Sequence, residues 1–398
     1  MRVSTAQVFN SGIGAINRGQ GELAKTQEQM ATGRRIVTPS DDPAGALQAL
    51  KIRERMDAVD QYARNAGMVQ SKLQYEETVL TNMGDALHRV RELTLQGMNA
   101  TQTNESRAAI AQEIRLLGDS LLDSANTRDA NGEYLFAGTR SGSTPFVRNA
   151  QGDVEYLGNG DVRNVAISPD RKLAVGHSGQ VLSNIPRGNG HFVATPDAGN
   201  SGTARVTASE VLDPTQIDDQ SYTISFIDAE NYEVLDSEGD PVATGAYAPD
   251  QAIDIGGRRV LVTGTPQAAD SIAVEPAGTQ SLFASIDQLV AALETPRSDS
   301  SAVAQFRGEA DMALLNIDQA MDKLLSVRTD VGGRLNTIDA QGLVNEDQSL
   351  QLKTMLSSIE DLDYAEAISR FSLQQVALQA AQQTYVQLGR NSLFDYLR

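Results

Sequence analysis

FNSGIGAINRGQGELAKTQEQM, residues 9–30, carries a helical pattern of apolar residues near the start of the chain. Large apolar residues and two glutamines recur in it at steps of four and three, at Phe9, Ile13, Ile16, Gln20, Leu23, Gln27 and Met30. These steps place the side chains in one narrow stripe along a helix, of the kind that a second helix covers. Because the stripe is thin and partly polar, the sequence predicts that this helix is incomplete without a partner.

The other end of the chain carries a similar stripe, made of Ile368, Phe371, Leu378, Ala381, Tyr385 and Leu388. A heptad stripe is more often a seam within one molecule, and we take that interpretation for residues 44–128 and 300–328. For the two ends we expect interfaces between subunits, because they lie beyond breaks in the chain and have thin apolar faces. The predicted interface residues are Phe9, Ile13, Ile16, Leu23, Met30, Ile368, Phe371, Leu378, Tyr385, Leu388, Leu393 and Phe394.

Length and composition bound the fold and the partners. A chain of 398 residues is expected to form two or more domains. The formal net charge of −19 argues against affinity for nucleic acid or for anionic membranes, since both need basic patches. The absence of cysteine excludes disulfides and thiolate metal sites. Because the sequence has no run of about 18 apolar residues, we expect no membrane span. Residues 1–7 lead into an amphipathic helix and not an unbroken apolar run, so we expect no cleavable signal peptide.

Residues 44–142 are predicted to be the N-terminal part of a helical rod. The preceding segment Ser40-Asp41-Asp42-Pro43 is a helix-start signal, because proline suits the first helical turn. Steps of four and three then predict one long helix from Ala44 to Met98, about 80 Å long at 1.5 Å per residue. Polar residues 99–104 predict a turn, after which a second helix returns antiparallel to the first.

Residues 143–279 are predicted to be an inserted β-rich domain. This segment holds nine of the twelve prolines and short runs in which apolar and polar residues alternate. Gly256-Gly257 stands between two such runs and predicts a hairpin with a two-residue turn. A second hairpin is predicted between residues 153–156 and 161–167, joined through Gly158-Asn159-Gly160.

Helical periodicity returns in residues 280–362, the predicted C-terminal part of the rod. A short helix follows Ser281, and a longer one keeps strict steps of three and four through residues 303–327. Gly332-Gly333 predicts a break or a flexible point. A last long helix is expected from about residue 341 almost to the C-terminus, with an interruption near residues 361–363.

The predicted fold class is therefore mainly α with an inserted β-rich domain. Both termini are expected to form one long antiparallel helical bundle or coiled-coil rod, because the helices before and after the insertion otherwise lack partners. The predicted segments are an N-terminal assembly helix and break (1–43), two parts of the rod (44–142 and 280–362), the outer β-rich domain (143–279) and a C-terminal assembly helix (363–398).

No constellation of residues in the sequence suggests catalysis. We expect His88 on a helix surface and place His177 and His191 in ordinary loops. The segment Asp129–Glu133 resembles a calcium loop only faintly, because the twelfth position is Arg140, and we interpret it as a turn. Since the sequence has neither a phosphate-binding loop nor a nucleophile motif, we expect a protein that is not an enzyme and needs no metal or cofactor.

Several blocks at both ends resemble the flagellin family. Residues 30–36, MATGRRI, and 40–45, SDDPAG, are similar to its N-terminal signature, and residues 89–96, RVRELTLQ, are similar to its helical core. Residues 131–138, NGEYLFAG, and 391–397, NSLFDYL, are similar to the members of the family that join hook and filament. The β-rich middle has no such resemblance.

The resemblance implies an extracellular structural subunit at the hook–filament junction of the bacterial flagellum, needed for motility. It implies export in unfolded form through the flagellar type III channel, self-assembly into a ring of like subunits, and contacts with a hook-side junction protein and with filament flagellin. It also implies a cytoplasmic export chaperone that covers the C-terminal helix. The sequence leaves two alternatives open, a minor flagellin of the filament and a surface adhesin that binds through its β-rich domain.

Overall fold

The structure is a computed structural model that describes residues 5–297 and 299–390, without the side chains of residues 5, 6, 8 and 388–390. The helices are α1 Thr5–Thr32, α2 Pro43–Gly97, α3 Asn104–Ala125, α4 Gln180–Ser183, α5 Leu282–Glu294, α6 Ser300–Glu360 and α7 Tyr364–Arg390. The strands are β1 Phe146–Arg148, β2 Val154–Tyr156, β3 Asn164–Ser168, β4 Arg171–Ala174, β5 Ile185–Pro186, β6 Phe192–Pro196, β7 Arg205–Val211, β8 Tyr222–Phe226, β9 Asn231–Leu235, β10 Pro241–Ala246, β11 Gln251–Ile255, β12 Arg258–Thr263, β13 Ser271–Pro276 and β14 Thr279–Gln280.

The chain divides into two compact units. The terminal unit contains residues up to 65 together with residues from 340 onward, and the central unit contains residues 66–339. Helices at both ends of the sequence and a β-rich middle confirm the coarse fold class. The coiled-coil rod and the five-segment division remain predictions.

The two helices that follow α1 agree closely with the prediction. Helix α2 ends at Gly97, one residue before the predicted end. Helix α3 returns antiparallel to it, since Gly97 lies against Ile110 and Arg89 pairs with Glu113 at 2.7 Å. The Thr103 hydroxyl starts α3 by accepting a hydrogen bond from the N–H of Ser106.

One large apolar core joins α2, α3, α5 and α6 in the central unit. Its fully buried side chains include Val69, Leu73, Leu80, Met83, Leu87, Val90, Ile114, Leu282, Ile317 and Val331. These residues recur at the helical spacing read from the sequence, so periodicity alone identified most of the buried faces. The exposed position of His88 on α2 is also confirmed.

The predicted break at Gly332-Gly333 is wrong, because α6 continues through both glycines to Glu360. Each glycine in a helix interior costs about 1 kcal/mol relative to alanine. Burial of Val331 and Ile338 against the core on the same stretch of helix offsets that cost. The helix ends instead just before Asp361, and the Asp363 carboxylate accepts N–H groups from the first turn of α7.

The β-rich region lies wholly within the central unit and is antiparallel throughout its described pairs. A five-stranded sheet in the order β10-β9-β8-β13-β6 and a three-stranded sheet in the order β11-β12-β7 share one core. The sheets bury Phe192, Ile224, Phe226, Val234, Ile253, Val260, Val262, Ile272 and Val274. Smaller pairs, β1-β2, β3-β4 and β14-β5, complete the region.

One predicted hairpin is confirmed and the other is wrong. Strands β11 and β12 pair with Ile255 opposite Arg258, and positive φ at Gly256 (49°) and Gly257 (75°) gives the two-residue turn. The second hairpin does not form, because β2 pairs with β1 and β3 pairs with β4. The Asn149 side chain closes the β1-β2 turn by accepting two backbone N–H groups, while Asn159 bonds to Thr139 instead of forming a turn between strands.

Candidate functional site at the paired terminal helices

In the terminal unit, α1 packs antiparallel against α7 of the same chain. The rings of Phe9 and Tyr385 meet edge to face with centroids 5.2 Å apart. The glycines at positions 12 and 19 let α7 approach closely, since the first lies beneath the Tyr385 ring and the second faces Leu378. The small residues of the quoted stretch therefore have a packing role that its apolar stripe does not reveal.

Polar contacts fix the register of the two helices. The buried Thr26 hydroxyl donates a hydrogen bond to Gln374 Oε1 at 2.8 Å. Near the end of α1, Tyr364 Oη donates to the carbonyl oxygen of Met30 at 3.3 Å. Because a buried polar side chain needs a specific partner, the bond of Thr26 disfavours a slip of one helix along the other.

The chain after α1 is tied to the chain between α6 and α7 through the backbone. The N–H of Arg35 donates to the Glu360 carbonyl at 2.6 Å, and the N–H of Leu362 donates to the Gly33 carbonyl at 3.0 Å. Arg53 Nη2 reaches the buried Glu360 carboxylate at 2.5 Å. We call the two tied segments, Gly33–Arg35 and Glu360–Leu362, the terminal clasp. The MATGRRI motif thus supplies one half of it.

The SDDP motif closes the loop that leads from the terminal clasp into α2. The Asp41 carboxylate forms a 2.7 Å ion pair with Lys25 and accepts the N–H of Thr38 at 2.8 Å. The Lys25 ammonium and these N–H donors lower the pKa of Asp41 to about 2. Asp42 accepts the N–H of Gly45, which caps the start of α2.

The terminal unit buries little apolar surface. Among its described residues the buried apolar side chains are Ile36, Ala49, Ile52, Val59, Leu352 and Ala367. Twice as many large apolar side chains are exposed there, namely Ile13, Leu47, Leu50, Leu343, Val344, Leu350, Met355, Tyr364, Ile368, Leu373, Val376 and Val386. An excess of exposed over buried apolar residues is typical of a surface that a partner covers.

The structure brings some of the predicted interface residues together and leaves others at the surface. Phe9, Ile16, Leu23, Met30, Phe371, Leu378 and Tyr385 are half-buried. Ile13 is 43% exposed and Ile368 is 52% exposed. Leu393 and Phe394 lie outside the described residues, as does the side chain of Leu388. The assignment of these residues to a subunit interface remains a prediction.

The exposed apolar residues of α7 that the sequence analysis missed include Leu373 and Val376. Leu373 is 69% exposed and Val376 is 64% exposed. Each lies two positions from a member of the predicted stripe, Phe371 or Leu378, and two residues are about 200° around a helix. The signal was a second apolar face on α7, opposite the stripe that the heptad spacing selected.

No group of three or more histidine or carboxylate side chains among the described residues is placed to hold a metal ion. None of the described helices combines the length and the hydropathy required to cross a membrane.

The Asp129 carboxylate accepts hydrogen bonds from the N–H groups of Asn131 and Glu133, which confirms the turn predicted there.

Two regions of sequence define the class of protein. Residues 3–141 match the bacterial flagellin N-terminal helical region, and residues 314–397 match the bacterial flagellin C-terminal helical region. The first match covers α1, the MATGRRI half of the terminal clasp, α2 and α3, and the second covers most of α6 and α7. The paired terminal helices are therefore those of a flagellin-like chain.

Similar proteins narrow the class. Flagellar hook-associated protein 3 of Escherichia coli (strain K12) is 26% identical over 396 residues, which cover 99% of each chain. The crystal structure of FlgL from Xanthomonas campestris is 32% identical with a TM-score of 0.72, and the match covers 77% of this chain and 99% of that one. The crystal structure of flagellar hook-associated protein 3 from Legionella pneumophila is 30% identical in sequence with a TM-score of 0.74, and the match covers 77% of this chain and 98% of that one.

The chain belongs to the family of flagellar hook-associated protein 3, also called FlgL. Members of this family are structural proteins of the flagellum. The resemblance to junction members of the flagellin family, read from the blocks at both ends of the sequence, is confirmed.

Proposed function

We propose that this chain joins the flagellar hook to the filament by coupled folding and polymerisation of its terminal helices. The observation that carries the proposal is the poorly filled terminal unit, in which exposed large apolar residues outnumber buried ones. Contact with neighbouring copies covers these residues. Burial of a large apolar side chain contributes about 1.5–3 kcal/mol, and several such contacts offset the entropy of ordering the ends.

The partners follow from this role. Like subunits form a ring through α1 and α7, with a hook-side junction protein on one side and filament flagellin on the other. A second solved structure from Legionella pneumophila is that of the flagellar junction protein FlgL, and the similarity to it supports a position at the hook–filament junction. The subunit is exported unfolded and without a cleavable signal, and a cytoplasmic chaperone covers α7 before export. The role is structural, without catalysis.

The experiment compares two equally exposed apolar side chains. Ile368 on α7 is 52% exposed and Val242 on β10 is 53% exposed. Ile368→Asp places a charge in the proposed interface and is expected to reduce incorporation into flagella by more than about tenfold, because burial of an unpaired carboxylate is costly. Val242→Asp is expected to leave incorporation unchanged. Both purified monomers should keep the wild-type melting temperature, since both side chains are exposed.

Localisation separates the alternatives. Fluorescent labelling of the chain in isolated flagella should mark the distal edge of the hook. Label along the whole filament would favour a minor flagellin, and label on the cell surface away from flagella would favour an adhesin. Normal incorporation of the Ile368→Asp variant would refute the interface even if the label lies at the hook.

A further inference from the structure

His177 lies in the central unit between two carboxylates from different helices. It follows β4, in the loop of residues 175–179 that leads to α4. Its Nδ1 is 2.9 Å from Glu76 Oε1 on α2, and its Nε2 is 3.0 Å from Asp330 Oδ2 on α6. The backbone N–H of His177 also donates to Glu76 Oε1, at 3.1 Å. One ring therefore connects the loop to both long helices.

The protonation state of the ring decides how many of these contacts are hydrogen bonds. A neutral imidazole carries a single N–H, whereas the imidazolium carries two and can donate to both carboxylates. Glu76 is 2% exposed, and its Oε2 has no hydrogen-bond partner within the described part of the chain. A buried carboxylate without a cation is costly, so Glu76 favours the charged form of His177.

Arg334 of α6 is a second cation at the ring, and its Nη1 donates to the Gly176 carbonyl at 3.0 Å whatever the protonation state of His177. Arg334 Nη2 lies 3.1 Å from His177 Nε2 and also pairs with the Asp330 carboxylate, which is 53% exposed.

A cavity of about 190 Å³ beside the ring is also lined by charged side chains. They are Lys72, Asp129, Glu133 and Arg163. The ammonium of Lys72 is paired with the carboxylates of Asp129 and Glu133. Burial lowers the pKa of His177, but the bonds to Glu76 and Asp330 outweigh burial, so the net shift is upward.

We propose that His177 in its charged form is a proton-dependent tie that adds a bond between the loop of residues 175–179 and Asp330 of α6. When the ring loses its proton to solvent, Nδ1–H stays on the buried Glu76. The Nε2 atom then becomes an acceptor facing Arg334, and its bond to Asp330 is lost. The tie stabilises the fold fully below the unfolded pKa of histidine, about 6.5, and weakens as pH rises through the higher folded pKa.

The test is hydrogen exchange of the full-length chain, measured on peptides that span residues 172–183 at about pH 6 and pH 9. Rates are corrected for the intrinsic effect of pH on exchange. Protection of the wild-type loop should fall about three- to tenfold at the higher pH, as expected for loss of one partly exposed charge-assisted bond. His177→Gln cannot titrate and should show no such fall, whereas the control His88→Gln, on the exposed face of α2, should behave like wild type.

A titration of the His177 ring by NMR in the unmodified chain gives an independent measurement that does not require the variant to fold. A midpoint above about 6.5 supports the tie. A midpoint at or below that value would overturn it. Identical pH dependence of loop protection in wild type and His177→Gln would also overturn it.

Discussion

Replacement of Gly33 by alanine should loosen the terminal clasp. Gly33 has φ of +68°, and a Cβ added there would lie 3.1 Å from Tyr364 Oη. The left-handed conformation costs a non-glycine residue about 1–2 kcal/mol, and the close contact adds to this. If Gly33 moves, its carbonyl oxygen accepts a weaker hydrogen bond from the N–H of Leu362. Such a bond contributes about 0.5–1.5 kcal/mol to stability. Together these terms give a local destabilisation of about 1.5–3.5 kcal/mol.

Hydrogen exchange on peptides covering residues 28–36 and 358–366 measures this local free energy in the native monomer. Gly21→Ala is the matched control, because Gly21 lies within α1 and its Cβ would meet open space. Alanine should stabilise α1 there by up to about 1 kcal/mol, the opposite sign to the effect at Gly33.

The contributions of backbone and contact can be separated with Tyr364→Phe, which removes the hydroxyl that the new Cβ would meet. Gly33→Ala should cost less in that background, and the remainder is the cost of the left-handed backbone. The reasoning is refuted if Gly33→Ala exchanges as slowly as wild type at both segments. An equal loss of protection in the central unit would also refute it, because the clasp would then not be local.

Three further results are expected. Because the pKa of Asp41 is low, its ion pair with Lys25 contributes its full stability above pH 3.9, about the ordinary carboxyl pKa. This stability is lost as the pH falls through about 2. Asp41→Asn should remove the acid dependence of hydrogen exchange at residues 36–45. Leu73→Ala, at a fully buried position of the central core, should cost about 2–5 kcal/mol in urea unfolding followed by circular dichroism. Limited proteolysis of the monomer should cut residues 7–30 and 365–387 before the central unit, and simultaneous cleavage would count against an incomplete terminal unit.

Local signals in the sequence predicted the elements whose limits depend on local chemistry. The proline at position 43 marked the start of α2, and Ser281 caps α5 by accepting the N–H of Ala284. Gly256 and Gly257 gave the hairpin because only a two-residue turn with positive φ joins strands so closely. In each case the residues that decide the structure are neighbours in sequence.

Some features that the sequence analysis missed involve residues whose partners are distant. Gly332-Gly333 has local helix-breaking propensity, but the core that buries Val331 outweighs it. His177 lies in a loop as predicted, but its carboxylate partners, Glu76 and Asp330, are 101 and 153 residues away in sequence. No spacing rule connects residues at such separations without the fold.

The candidate site itself was only partly visible in the sequence. The heptad stripes located α1 and α7, yet the same pattern serves a seam within one chain or between chains. The structure shows that α1 and α7 meet within the chain through Phe9 and Tyr385. Apolar residues outside the stripe, such as Leu373, are the more exposed ones on α7.

The terminal clasp explains how one pair of helices can combine a fixed pairing with free apolar surface. Its bonds from Arg35 to Glu360 and from Leu362 to Gly33 join main-chain atoms, so they hold the helix ends without using apolar side chains. Register along the pair is set by the polar contact at Thr26. Most apolar side chains of α7 are then not needed to hold the monomer together. The clasp therefore holds the two helices while apolar side chains such as Leu373 stay exposed.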